Sequence, residues 1–332
     1  MRRDARACPA TPERPLAPDR LRFLARTPYY ALRGTRARIH AGLPLAPPAT
    51  DRPPVFIIGC GRSGTTLLGE IFATHPQVSY RYEPYHRWAA IDPVTDFLQL
   101  YSRGGHHCLL DAGSATPAAR RRFRRLMTAP PGFTLVEKSP INALRIGYLD
   151  ALAPDACFLH IVRDGADVAR SISKMASVTR RMAFRPPLNE WWGVGDAKWR
   201  ALQRDGQARG YYPGELSLLA TDAQRGACEW LLSLREVGAW RPRLGSRLTE
   251  IRYPDLMADP WAILKAATGW LGLSCPSQWL EEAGARVNPA ASRPAGRLEL
   301  PPGMSADFNS MQEYFGFSSR AESAESRDDR DA

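Results

Sequence analysis

Apolar positions along this chain follow two rhythms. Val55-Phe56-Ile57-Ile58, bounded by Pro54 and Gly59, is a short uninterrupted apolar run, and Cys157-Phe158-Leu159-His160-Ile161-Val162 is another. Runs of this kind suit strands buried on both faces, as in a parallel sheet. Gln77-Val78-Ser79-Tyr80, Thr134-Leu135-Val136 and Leu248-Thr249-Glu250-Ile251-Arg252-Tyr253 are the other strand candidates. Helical spacing takes over between them. Leu67, Leu68, Ile71 and Phe72 line one face until His75-Pro76 stops the pattern, and Leu144, Tyr148, Leu149 and Leu152 do the same within 142–153. Thr221, with Gln224 three residues on, predicts the capped start of a helix whose buried stripe is Ala227, Trp230, Leu231, Leu234 and Val237. Asp259-Pro260 opens another that runs through Leu271. Strands alternating with helices predict an α/β fold with a central parallel sheet flanked by helices.

The rhythm weakens in places, and these set the expected organisation. Residues 1–50 form a basic Pro/Arg-rich arm, partly disordered. Within it, 21–40 mixes aromatic and aliphatic residues with arginines, which suits an arm packed on the domain or a segment lying on a membrane surface. Residues 51–317 read as a single domain, with 92–132 mostly helical and 175–245 supplying a substrate or lid region rich in tryptophan. Residues 318–332 read as a disordered tail.

Composition changes this picture little. No stretch has the ~18–20 consecutive apolar residues of a membrane span, and the N-terminus lacks the apolar core of a secretory signal. Six scattered cysteines without metal-ligand spacing suit a reducing compartment, so a cytoplasmic location is expected, with membrane association open through the arm. The net charge is +11, but residues 1–50 hold ten arginines against Asp4, Glu13 and Asp19, so the remainder is nearly balanced and no nucleic-acid partner is expected. Arginine outnumbers lysine 41 to four, which makes each lysine (Lys138, Lys174, Lys198 and Lys265) more noticeable.

The chemistry gathers where strands end. After the first strand comes Gly59-Cys60-Gly61-Arg62-Ser63-Gly64-Thr65-Thr66, a glycine turn leading into a helix, which presents backbone N–H groups and a helix dipole to an anion. It nearly spells a nucleotide-binding loop, yet Thr65 stands where a triphosphate-binding loop needs lysine. The cation is Arg62 instead. A phosphosulfate, less charged than a triphosphate, suits the turn amides, Arg62 and the Thr65 and Thr66 hydroxyls without a metal. Two further motifs, Glu137-Lys138-Ser139-Pro140 and Arg163 through Ser171, follow strands, and Glu83 follows another. Ligands of open parallel sheets bind outside these carboxyl ends. Arg163 suits bidentate phosphate binding or a structural ion pair with Asp164 or Asp167. His106-His107-Cys108 resembles a metal motif but lacks a fourth ligand at recognisable spacing, and a polar loop is the expected reading.

With these residues in view, the sequence resembles the sulfotransferases that use 3′-phosphoadenosine 5′-phosphosulfate (PAPS), most of all their tyrosylprotein and heparan-type branches. The detailed likeness covers about 53–175, with a weaker echo over 248–273. The resemblance implies a P-loop-like three-layer fold and assigns roles. Gly61, Arg62, Ser63, Gly64, Thr65 and Thr66 would hold the 5′-phosphosulfate, and Arg163 with Ser171 the 3′-phosphate. Tyr253 would lie near the nucleotide, and Arg293 or Arg297 would cover it. Glu83 would be the base, with His86 as the alternative, and Lys138 and Arg62 would contact the transferring group. The implied reaction moves a sulfuryl group from PAPS to an acceptor hydroxyl, with small molecules, glycans and lipids expected and peptidyl tyrosine open, and with no metal. Two other readings stay open: a P-loop kinase or NTPase, and a basic protein that binds nucleic acid or a membrane surface.

Overall fold

The computed structural model describes residues 19–43, 52–102, 104–182, 185–287 and 297–324. In chain order the elements are α1 (Asp19–Gly42), β1 (Val55–Ile58), α2 (Thr65–Ala73), β2 (Val78–Tyr82), α3 (Tyr85–Ile91), α4 (Pro117–Leu126), β3 (Thr134–Lys138) and α5 (Ile146–Leu152). Then follow β4 (Cys157–Val162), α6 (Gly165–Ala176), β5 (Thr179–Met182), β6 (Arg185–Asn189), β7 (Gly193–Val194), α7 (Ala197–Ala208) and α8 (Asp222–Leu244). The chain finishes with β8 (Leu248–Arg252), α9 (Tyr253–Ala258), α10 (Pro260–Trp270), α11 (Ser277–Ala285), β9 (Glu299–Leu300), α12 (Pro302–Tyr314) and β10 (Glu322–Ser323).

Five strands form one parallel sheet in the order β2-β3-β1-β4-β8. β1 sits at its centre, and alternate residues face opposite layers. Phe56 and Ile58 pack with Trp88, Phe123 and Phe158 on one side. Val55 and Ile57 pack with Leu68, Ile71 and Phe72 on the other. Two covered faces explain why β1 is apolar at every position. The connection leaving β1 crosses β3 to reach β2 at one edge, whereas the chain leaving β4 goes to β8 at the other edge. Strand order therefore reverses between β1 and β4, the crevice where open α/β sheets hold ligands.

Several expectations hold in detail. β4 has the predicted bounds. Thr221 and Gln224 form both halves of the capping box on α8, and Asp259 caps α10 through Ala262 N. Three depart. The 92–132 stretch is helical only in α4 and two short 3₁₀ turns, at Pro93–Thr95 and Ala112–Ser114. Residues 142–153 split into a 3₁₀ turn over Pro140–Leu144 and the short α5. Residues 318–324, expected to be disordered, instead return to the domain: Ala321 is buried, and β10 pairs in parallel with β9. The arm is helical over α1, which buries Ala37 and Ala41 in the core shared with α3 and α4. Among the described residues no helix is long and apolar enough to cross a membrane.

Candidate functional site

The turn after β1 is shaped for an anion. Gly59 has φ 147°, and a Cβ there would fall 2.3 Å from the Ile161 carbonyl oxygen on neighbouring β4. Gly64, at φ 101°, sits at the N-cap of α2, where no side chain caps the helix and no carboxylate stands in the first turn. The first N–H groups of α2 have no intrahelical partner. The Ser63 hydroxyl beside them is buried and has no hydrogen-bond partner. A buried orphan hydroxyl and an uncapped helix are what a bound phosphate or sulfate would satisfy.

Aromatic rings wall the turn. A Cβ at Gly61 would lie 2.3 Å from the Trp191 ring, and one at Gly64 2.6 Å from the Tyr253 ring. Trp191 is held by a hydrogen bond from its Nε1 to Glu229 Oε2 at 2.9 Å, and the other Glu229 oxygen pairs with Lys198 Nζ at 2.7 Å. Lys198 Nζ in turn stands 4.1 Å from the Trp191 ring centre. In sequence, Trp191 was marked only by the aromatic density of the 175–245 segment and Lys198 only by being one of four lysines, and nothing marked Glu229. Cys60, inside the turn, is a buried thiol whose pKa is pushed well up, first by burial and then by Glu229.

Lys138, at the end of β3, is fully buried and joins three groups. Its Nζ donates to Glu83 Oε1 at 2.5 Å and to Thr66 Oγ1 at 3.1 Å, and lies 4.0 Å from the Tyr82 ring centre. The cation absent from position 65 is thus delivered to the loop from a neighbouring strand. Glu83 follows β2, its N–H bonded to the Lys138 carbonyl at 2.9 Å. The Tyr85 hydroxyl also bonds Glu83, and burial followed by the charge of Glu83 drives its pKa well up, so Tyr85 stays a neutral donor. Glu83 and Arg62 both adopt left-handed backbone, φ 38° and 73°. Non-glycine residues in that region are uncommon and gather at functional sites.

Arg62 Nε donates to Ser171 Oγ, on α6, at 2.9 Å. Arg163, at the end of β4, has Asp167 as its ion-pair partner at 2.8 Å, one of the two partners weighed from the sequence, and its guanidinium lies 4.7 Å from the Tyr253 ring centre. Its backbone carbonyl is fixed by Trp230 Nε1 from α8. Gly61 through Thr66, Glu83, Lys138, Arg163, Ser171 and Tyr253 therefore fall into one connected cluster at the carboxyl edge of the sheet.

Other candidates lie elsewhere. Arg293 is outside the described residues. Arg297 is exposed and pairs with Glu299 and Glu322 beside β9 and β10. His86 lines a cavity beneath α1 rather than joining Lys138. The His106-His107-Cys108 run serves structure: His106 Nε2 bonds the Ala197 carbonyl, His107 Nδ1 bonds Asp205, and the Cys108 N–H donates to Asp205.

Residues 53–214 match the family described as the Sulfotransferase family. That reach exceeds the likeness expected from the sequence, which stopped near 175, and it takes in Trp191 and Lys198. Among curated proteins, human protein-tyrosine sulfotransferase 1 is 30% identical over 176 residues, covering 48% of this chain and 46% of that protein. The zebrafish (Danio rerio) protein of the same name is 30% identical over 152 residues, 42% of each. The chain thus spans about half the length of the curated relatives it matches. Among solved structures, the sulfotransferase domain of the Synechococcus olefin synthase aligns at 17% identity and a TM-score of 0.45, covering 83% of this chain and all of that domain.

Proposed function

With the match of 53–214 to the sulfotransferase family as premise, we propose that this chain transfers a sulfuryl group from PAPS to an acceptor hydroxyl, giving 3′,5′-ADP and a sulfate ester. The observation that carries the reading is the position of Lys138 Nζ, within hydrogen-bond reach of both Glu83 and the loop hydroxyl of Thr66. A base candidate and an anion cradle thereby share one buried ammonium.

The residues suit both ends of the nucleotide. The uncapped N-terminus of α2, the Ser63 hydroxyl and Arg62 would take the 5′-phosphosulfate. Arg163 and Ser171 would take the 3′-phosphate. An acceptor hydroxyl is too weakly acidic to ionise at neutral pH, so a positioned base matters. Glu83 is the carboxylate at the rim of the cradle, half-buried and fixed by Lys138 and Tyr85. As the acceptor oxygen attacks sulfur in line, Glu83 takes its proton, and negative charge passes to the departing phosphate oxygen. Arg62, Lys138 and the α2 amides would stabilise that charge, which is the role of fixed cations and dipoles in group transfer.

Small-molecule, glycan and lipid hydroxyls fit this chemistry. The curated relatives are named for protein tyrosine, so a tyrosine-bearing peptide belongs on the acceptor panel beside them. The test supplies labelled PAPS with that panel and follows both the sulfate ester and 3′,5′-ADP. Transfer of label with release of 3′,5′-ADP supports the reading. Absence of 3′,5′-ADP binding, with Mg-ATP bound instead, would replace it with the kinase reading.

A further inference from the structure

A second concentration of positive charge lies outside the cluster described above. α1 packs across α3 and α4 through Ala37 and Ala41, and the crevice left between the three helices holds a cavity of about 420 Å³. Its lining includes Arg33, Arg36, His40, His86 and Arg87, and no carboxylate among the described residues. This is unusual placement, because arginines near one another are ordinarily interleaved with acids or spread over solvent. Arg87 is not loose: its Nη1 donates to the Leu126 carbonyl at 2.5 Å, which fixes the guanidinium at the junction of α3 and α4. Arg33 bonds the Tyr29 hydroxyl. The uncompensated charge is felt by the imidazole between them. Burial first, then Arg33 and Arg87, hold His86 down at about 4, so it is neutral at pH 7 and adds a hydrogen-bonding group without further repulsion.

We propose that this crevice is a second anion site, which takes a phosphate or sulfate monoester between Arg33, Arg36 and Arg87. Three guanidiniums around a cavity are suited to the tetrahedral oxyanion, since each offers a planar fork of donors that matches it. The site shares α3 with the turn that carries Glu83, but none of its lining residues belongs to the transfer cluster. It stands whether or not the transfer reading holds.

The monoester has two sources. One is a soluble ester. The other is a lipid headgroup, which α1 makes plausible on its own surface: Leu32 and Ile39 beside these arginines are 71% and 62% exposed. Apolar side chains flanking basic ones are what an interfacial helix presents to an anionic bilayer.

The experiment compares the full chain with the double variant Arg33→Ala/Arg36→Ala. Both side chains are exposed on α1, and neither touches the glycine turn. Inorganic phosphate is titrated into each by calorimetry, and each is floated with phosphatidylcholine vesicles with and without phosphatidic acid. The expected result is saturable phosphate binding that weakens about tenfold or more in the double variant. Flotation that requires phosphatidic acid and is lost in the variant assigns the site to a headgroup, and phosphate binding without flotation assigns it to a soluble ester. Identical behaviour of the two proteins in both assays overturns the proposal. A single variant, Arg87→Gln, checks the same cavity from α3 and should weaken phosphate in the same direction.

Discussion

Arg62 Nε donates to Ser171 Oγ at 2.9 Å, although 109 residues separate them in sequence. One belongs to the turn after β1 and the other to α6, the helix that follows β4. The bond ties the turn after β1 to α6, so the two motifs proposed to hold the ends of the nucleotide are linked to each other. A ligand with phosphates at both ends would meet groups already held in register, which lowers the ordering it must impose.

Arg163→Ala is expected to weaken 3′,5′-ADP by about 2–5 kcal/mol, the range for removing one partner from a buried charged contact. The measurement is the rise in melting temperature on adding 3′,5′-ADP. The rise, and not the melting temperature alone, is the readout, because the substitution also leaves Asp167 with one fewer cation. An unchanged rise removes Arg163 from the site.

Glu83→Gln should leave 3′,5′-ADP binding intact and lower turnover by ~10²–10⁴-fold, the usual worth of a general base. The amide can still accept from Lys138, so the buried ammonium keeps a partner. Full turnover in the variant would assign the base elsewhere.

Gly61→Ala places a methyl where the Trp191 ring already lies. The crowding should cost about 1–3 kcal/mol and impair nucleotide binding by displacing the turn. Adding Trp191→Ala should recover part of that loss in the double variant. If the two losses simply add, the ring and the turn are not in the contact described.

His86 supplies a pH signature. Its folded-state pKa, about 4, lies below the ordinary 6.5. The unfolded chain therefore binds more protons between these values, and stability rises with pH across that window. The contribution is complete above about 6.5 and lost as pH falls through 4. In denaturant midpoints taken from pH 4 to 7 in phosphate-free buffer, wild type should lose stability relative to His86→Asn as pH falls, because the variant has no group titrating there. Parallel curves would mean that His86 titrates normally.

The sheet was legible because its strands are punctuated. β1 sits between Pro54 and Gly59, and β4 ends at Arg163-Asp164, with burial on both faces making each run apolar throughout. The 92–116 stretch was not legible, since distant partners hold it. Asp96 accepts from the N–H groups of Leu100, Tyr101 and Ser102. Arg145 takes the carbonyls of Thr95, His107 and Cys108, and Asp205 takes the N–H groups of Cys108 and Leu109. Polar residues doing this work look, in sequence, like the solvent face of a helix. The site divided the same way. Residues directly after strands could be found by rule, whereas Trp191, Lys198 and Glu229 reach the turn from elements whose placement no local pattern encodes.

The left-handed backbone at Arg62 and Glu83 has a consequence for anyone engineering this protein. Such a conformation costs a side-chain-bearing residue roughly 1–2 kcal/mol relative to glycine. A screen that selects only for heat resistance would therefore be drawn to glycine at these two turns. It would collect robust, inert proteins, because relaxing these two positions removes side chains the proposed chemistry needs.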